Sequence, residues 1–169
     1  MNVCTEVRKT LPETDMLLPR RVCFVCTGNT CRSPMAAAVT NTLGRERGIS
    51  AVSAGLYPNV GDAISKNALC ALLDAGYVPC EGNRFDLHTA QVIGEELISA
   101  CDMIVAISRS HFMTLICSFP SYAQKITVMP HDISDPFGGD LTRYKTCLEE
   151  ITAGIKELFG FGTDKGRSL

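Results

Sequence analysis

The sequence predicts an α/β fold, a single domain with a doubly wound sheet of four parallel strands and helices on both faces. Three observations carry this. A chain of 169 residues with 46% hydrophobic content can bury one ordinary core and hardly two. From Arg21 onward, short apolar runs alternate with helical patterns, as βα units around a parallel sheet do. The unbroken run Met103 to Ile107 reads as a strand buried on both faces, which parallel sheets require.

Residues 1 to 19 mix Thr, Glu, Arg, Asp and two prolines without periodicity, so they are expected to form a poorly ordered extension ahead of a domain spanning 20 to 161, with 162 to 169 as a tail. The first strand runs from Arg21 to Val25. The first helix follows with Met35, Ala38, Val39, Thr42 and Leu43 on one stripe, Ser33 as its N-cap and Pro34 as its first residue. A strand around Ala51 to Ser53 precedes a helix with Ile64, Ala68, Leu69, Leu72 and Leu73 on one face, ended by Gly76. After the buried strand come a short helix over Ser108 to Cys117 and a strand over Ile126 to Met129. A final helix is lined by Tyr144, Leu148, Ile151, Ile155 and Leu158. There is no internal repeat and no low-complexity tract.

A net charge of −2 and a pI near 5.9, with no Lys/Arg cluster, give no footprint for nucleic acid or an anionic membrane. The apolar runs are too short to span a bilayer and the N-terminus lacks a long apolar region, so a soluble, cytoplasmic protein is expected. Nine cysteines at scattered positions do not resemble a disulfide framework, and a reducing compartment suits them better. Oligomeric state is not legible.

The informative stretch is Val25 to Pro34, VCTGNTCRSP, which joins the first strand directly to the first helix. Open parallel sheets bind ligands at such junctions. Cys26 and Arg32 enclose five residues, and the backbone amides of Thr27, Gly28, Asn29, Thr30, Cys31 and Arg32, curled above a helix N-terminus, would form a concave phosphate site. A cysteine held in that field favours its thiolate, ready to attack phosphorus in line while Arg32 makes bidentate contacts to the equatorial oxygens. Gly28 permits close approach of a phosphate. Asn29 tolerates left-handed backbone geometry and can tie the loop with its amide, and Ser33 could donate a hydroxyl to the Cys26 sulfur.

A lone Cys-x5-Arg is common by chance; here its strand-to-helix setting makes the joint pattern specific. Cys23 and Cys26 also form a C-x-x-C, but Cys23 lies within the strand, no second pair follows, and His88, His111 and His131 lack ligand spacing, so no metal or other cofactor is expected. A nucleotide-binding P-loop would need Gly-Lys-Ser/Thr after its glycine.

On these residues the chain resembles the low-molecular-weight protein tyrosine phosphatase family, whose loop Cys-x-Gly-Asn-x-Cys-Arg-Ser is matched by Cys26, Gly28, Asn29, Cys31, Arg32 and Ser33. Ser53, Ala54 and Gly55 match its Ser-Ala-Gly, and Asp135-Pro136 its general-acid pair, so the resemblance spans about 21 to 160. It implies a doubly wound fold and a phosphorylated protein substrate. Cys26 would take the phosphoryl group while Asp135 protonates the leaving atom, and Asp135 would then activate the hydrolytic water. Ser53, Asn29 and His88 would support the loop, with Gln91 standing where the family usually has Arg. Independently, the residue before a proline is held extended and Phe137 offers an apolar wall beside Asp135; Asp132 and Asp140 are the alternatives.

Arsenate reductase of the same fold is a rival, with Cys70, Cys80 and Cys101 available for a relay, and a silent phosphoprotein-binding module is another. Cys31 is placed to capture an oxidised Cys26. Thr30, with Phe137 as one aromatic wall and Tyr57 as its opposite, resembles the protein-arginine-phosphatase branch of the family. Phosphotyrosine and phosphoarginine both remain open as substrates, and Thr30 tilts the reading to the latter.

Overall fold

The computed structural model describes residues 18–162, so almost all of the expected extension at 1 to 19 and of the tail at 162 to 169 lies outside the described residues. Nine principal elements follow in order: β1 (Arg21–Cys26), α1 (Arg32–Leu43), β2 (Ser50–Gly55), α2 (Lys66–Asp74), α3 (Glu95–Ser99), β3 (Met103–Ala106), α4 (Arg109–Ser118), β4 (Ile126–Val128) and α5 (Leu141–Phe159). The four strands are all parallel in the order β2-β1-β3-β4.

Strand parity assigns the two layers. Val22, Phe24 and Cys26 of β1 face a core built with α1, α2 and α5, in which Met35, Val39, Leu72, Ile151 and Ile155 are wholly buried. Cys23 and Val25 face a second core with Ile98 of α3 and Leu115 of α4. The expected doubly wound sheet, with helices on both faces, is therefore what forms. β1 sits between β2 and β3, so its C-terminal end, where Cys26 lies, opens between the two layers.

Helix boundaries follow local chemistry. The Ser65 hydroxyl accepts the Ala68 N–H and starts α2, the Ser108 hydroxyl accepts the His111 N–H and starts α4, and Asp140 accepts the Arg143 N–H and starts α5. α5 buries Tyr144, Cys147, Leu148, Ile151, Ile155 and Phe159 at helical spacing and ends at Gly160, whose φ of +65° is the left-handed conformation glycine adopts without strain.

Three expectations need correction. α1 begins at Arg32, not after a Ser33 cap: Cys31 holds the cap position without a side-chain bond, because the Ser33 hydroxyl is engaged elsewhere. Pro34 is then the third helical residue, where a missing N–H still costs no intrahelical bond. Ile64 is buried ahead of α2 rather than within it, and Leu73 is 48% exposed, since α2 is only nine residues long and presents Ala68, Ala71 and Leu72 inward. The sequence reading also passed over α3, five residues being too few for periodicity to register.

Because Ile151 is fully buried where α5 meets α1 and the sheet, Ile151→Ala should lower unfolding free energy by about 2–5 kcal/mol in a urea titration. A loss below about 1 kcal/mol would mean that α5 is not packed as described.

Candidate active site

Between Cys26 and Arg32 the chain turns from β1 into α1, and the path is fixed from outside by its carbonyls. The Cys26 and Thr27 carbonyls accept the N–H groups of Leu56 (2.9 Å) and Tyr57 (3.0 Å). Those of Thr30 and Cys31 accept from Ser65 (2.8 Å) and Met35 (3.2 Å). The Asn29 carbonyl lies 2.7 Å from His88 Nε2, and since a carbonyl can only accept, that nitrogen carries the hydrogen. A peptide whose carbonyl is held outward turns its amide the other way, so these bonds favour amides that face the concavity, an arrangement suited to an anion and continuous with the N-terminus of α1. Burial is the main cause pushing the His88 imidazole below its usual range, partly opposed by the bond to Asn29.

Asn29 fastens the loop from within. Its φ of +55° is left-handed, the one positive value at a non-glycine residue among those described. Its amide nitrogen donates to Ser33 Oγ and Ser53 Oγ, each at 2.9 Å, and its amide oxygen accepts the Gln91 N–H at 3.0 Å. Gln91 also donates to the Ser53 carbonyl at 2.9 Å, so it ties the loop to the outer strand β2. Ser33 Oγ lies 3.0 Å from Cys26 Sγ; because it already accepts from Asn29, its own hydrogen is available to that sulfur or to the Ala54 carbonyl at 3.3 Å.

Asp135 reaches the loop from the segment between β4 and α5. Its Oδ2 is 2.8 Å from the Arg32 guanidinium, which is nearly buried, and its Oδ1 accepts the Phe137 N–H at 3.1 Å. The neighbouring Ser134 donates its N–H and hydroxyl to Glu150 of α5, at 2.9 and 2.8 Å, which anchors the segment. Asp140 serves as the N-cap of α5. A cavity of about 300 Å³ is lined by Cys26, Thr27, Gly28, Asn29, Thr30, Cys31, Arg32, Asp135 and Phe137. Larger surface cavities elsewhere lack this convergence of a thiol, a guanidinium and a carboxylate. Phe137 is 78% exposed at the mouth, and Tyr57, 74% exposed, stands outside the lining.

The remaining thiols are arranged differently from Cys26. Cys31 is buried, with Tyr144 Oη at 3.3 Å, Ser65 Oγ at 3.5 Å and Thr30 Oγ1 at 3.6 Å. Burial, and next the bond to Cys31, push the Tyr144 phenol up, so it stays protonated. Cys23 and Cys26 lie on opposite faces of β1, one in each core, so their C-x-x-C spacing does not bring the sulfurs together. Among the described residues no group of three or more His, Cys, Asp or Glu could hold a metal.

Sequence reasoning missed several supports: Glu150 beneath Ser134, Tyr144 and Ser65 on Cys31, and His111, which is buried with Nε2 2.9 Å from Thr27 Oγ1. Each partner lies more than fifteen residues away, and only the Ser-x-x-His start of α4 left a local trace, readable as a cap.

The family model for low molecular weight phosphotyrosine protein phosphatase matches residues 21–166. A protein-arginine-phosphatase of Bacillus subtilis (strain 168) is 28% identical over 146 residues, covering 81% of this chain and 93% of the relative. A low molecular weight protein-tyrosine-phosphatase of Streptomyces coelicolor is 31% identical over 150 residues, covering 79% and 87%. The crystal structure of a low molecular weight protein tyrosine phosphatase from T. tengcongensis aligns with a TM-score of 0.75 at 34% identity, covering 83% of this chain and 97% of that one.

Gly55 ends β2 directly behind the loop, and a Cβ there would come within 2.7 Å of the Thr27 carbonyl oxygen and 3.1 Å of Asn29 Cβ. Gly55→Ala should displace the loop and weaken inhibition by orthovanadate about 10- to 100-fold. Gly94→Ala, with nothing within 4 Å of the added carbon, should leave it unchanged. Equal inhibition constants in the two variants would contradict the close packing of β2 on the loop.

Proposed function

The chain belongs to the low molecular weight phosphotyrosine protein phosphatase family and is a cysteine phosphatase, and from that premise we propose that it hydrolyses phosphorylated protein side chains through a phosphocysteine on Cys26. The observation that carries the proposal is the convergence of Cys26, Arg32 and Asp135 on the cavity enclosed by the loop. The Cys26 thiolate attacks phosphorus, the bond to the leaving atom breaks, and Asp135 gives that atom its proton. Asp135 then takes a proton from water, which attacks phosphorus; the S–P bond breaks, inorganic phosphate leaves, and the Ser33 hydroxyl donates to the returning thiolate. The loop amides and Arg32 carry the phosphoryl charge, so the reading uses no metal.

The ion pair between Arg32 and Asp135 has a part in this sequence. The Asp135 carboxylate engages the guanidinium at 2.8 Å. A phosphoryl group brings more charge and two oxygens to the same fork, and its arrival releases Asp135 to the leaving-group side of the cavity, where, away from the guanidinium, the carboxylate takes up from solvent the proton it then gives to the leaving atom. Arg32 thus clamps phosphate, with Thr27, Gly28, Asn29, Thr30 and Cys31 supplying amides and Asn29, Ser53 and His88 holding them in place.

For the side chain that enters, we favour phosphoarginine. Thr30 brings a hydroxyl to the cavity wall, Phe137 a flat face at its mouth and Asp135 a carboxylate, three groups that suit a planar, polar guanidinium. Tyr57, whose N–H is tied to the Thr27 carbonyl and whose side chain is exposed, is the candidate for a second face by rotation of that side chain. Cys31 is the candidate resolving thiol: after a peroxide oxidises the Cys26 thiolate to a sulfenic acid, attack by Cys31 expels water and leaves a disulfide. The cytoplasm, whose thiol reductants would restore both groups, is the proposed location; no helix among the described residues is long and apolar enough to cross a membrane.

Para-nitrophenyl phosphate turnover should survive chelation and vanish in Cys26→Ser. Asp135→Asn should slow release of poor leaving groups about 10²- to 10⁴-fold while sparing good ones. An equal, small loss across leaving groups would move the acid role elsewhere. Comparison of kcat/KM on phosphoarginine and phosphotyrosine peptides should favour the former in the native enzyme and the latter in Thr30→Ile; an unchanged ratio would remove Thr30 as selector. Arsenate turnover with thioredoxin, dependent on Cys70, Cys80 or Cys101, would favour a reductase instead.

A further inference from the structure

His111 is buried at the start of α4, and the phosphatase mechanism above gives it no task, yet it touches the loop at the residue next to the nucleophile. Its Nε2 is 2.9 Å from Thr27 Oγ1 and its Nδ1 is 2.8 Å from Ser108 Oγ. Ser108 Oγ in turn lies 2.8 Å from Ser110 Oγ and accepts the His111 backbone N–H at 3.4 Å. Four side chains thus form one hydrogen-bonded file, Ser110–Ser108–His111–Thr27, that ends at the wall of the cavity. The Thr27 carbonyl is held by Tyr57, so this residue is gripped through both backbone and side chain.

The imidazole is neutral over the working range. Burial is the main cause that lowers it to about 4, the positive charge of Arg32 adds to this, and Asp135 opposes it. A neutral ring carries one N–H, so the file has two polarities. If Nδ1 carries the hydrogen, Thr27 must donate to Nε2 and presents only lone pairs to the cavity. If Nε2 carries it, Ser108 donates to Nδ1, Thr27 accepts from the ring, and the Thr27 O–H is free to point inward. An empty loop tolerates either polarity. An anion in the loop selects the second, because lone pairs facing phosphoryl oxygens repel and a donated O–H attracts.

Resting on the phosphatase reading, we propose that His111 is a positioning residue which, backed by Ser108, holds Thr27 in place and turns its hydroxyl hydrogen toward the oxygens of the bound phosphoryl group. Thr27 then supplies a side-chain donor in addition to its amide, and the ring reaches substrate only through it. Because the contact is made to phosphoryl oxygens in ground state and transition state alike, its loss should raise KM and the inhibition constant for inorganic phosphate together and change kcat little.

The test is a double-mutant cycle on the phosphate inhibition constant and on KM for para-nitrophenyl phosphate, with Thr27→Val, His111→Phe and the double variant. Thr27→Val and His111→Phe should each raise both constants about three- to tenfold, Thr27→Ser, which keeps the hydroxyl, should raise them less than Thr27→Val, and the double variant should be no worse than Thr27→Val alone. A ring that merely fills space would damage the Thr27→Val background as much as the native one, so multiplying effects would overturn the proposal. Unchanged constants in Thr27→Val would do the same. Should His111→Phe fail to fold, ¹⁵N imidazole shifts of the native protein read the tautomer directly: added phosphate should leave the hydrogen on Nε2, and an Nδ1–H ring in the phosphate complex would refute the assignment. Native protein without para-nitrophenyl phosphatase activity would instead fail the phosphatase reading, while the tautomer measurement would still decide whether His111 orients Thr27 toward an anion.

Discussion

Every function assigned to this fold depends on which way one short stretch of backbone faces. The carbonyls of Cys26, Thr27, Asn29 and Thr30 are held from outside by Leu56, Tyr57, His88 and Ser65, that of Cys31 by Met35 of α1, and a peptide whose carbonyl is drawn outward turns its amide the other way. Peptide groups have a fixed dipole, so anchoring one end aims the other. The resulting concavity sits at the N-terminus of α1, where the helix has unpaired N–H groups of its own. Absence of a side-chain cap on α1 is part of the same arrangement: a capping hydroxyl would satisfy donors that an anion can use.

Holding a loop this way has a conformational cost, met by buried polar contacts. Asn29 occupies a left-handed conformation that most residues avoid, and its side chain makes three hydrogen bonds that lock it there. The ties come from several parts of the chain: β2 through Gly55 and Ser53, the segment before α3 through His88 and Gln91, α2 through Ser65, and α4 through His111. The segment that carries Asp135 is held separately, by Ser134 on Glu150, so its anchor is independent of the ties that hold the loop. A rigid anion site beside a separately anchored carboxylate suits a reaction in which phosphate stays put while protons move.

What the sequence disclosed follows from how far each signal extends along the chain. The parallel sheet was legible because apolar runs such as Met103 to Ile107 are local, and the loop because Cys26, Gly28, Asn29, Arg32 and Ser33 are contiguous. Asp135-Pro136 was picked out by the family resemblance, with the extended residue before proline and the Phe137 wall as local support, and the structure brings it to Arg32 from 103 positions away. His111 and Glu150 were invisible, since a buried histidine after a capping serine and a glutamate on an amphipathic helix look the same whether or not they face a site. Ser33 reads in the sequence both as an N-cap and as a hydroxyl beside the Cys26 sulfur, and only the second holds, since its Oγ lies 3.0 Å from Cys26 Sγ and Cys31 takes the cap position.

The central claim is that the phosphoryl group passes through Cys26, and rapid-quench trapping tests it most directly. Native protein mixed with excess para-nitrophenyl phosphate, quenched within a few milliseconds and digested, should yield a phosphorylated peptide containing Cys26, with a burst of nitrophenolate matching its amount. The Cys26→Ala protein should yield neither. Turnover by native protein with no trapped phosphoenzyme and no burst under conditions that favour accumulation, or phosphate recovered on a peptide lacking Cys26, would contradict passage through Cys26.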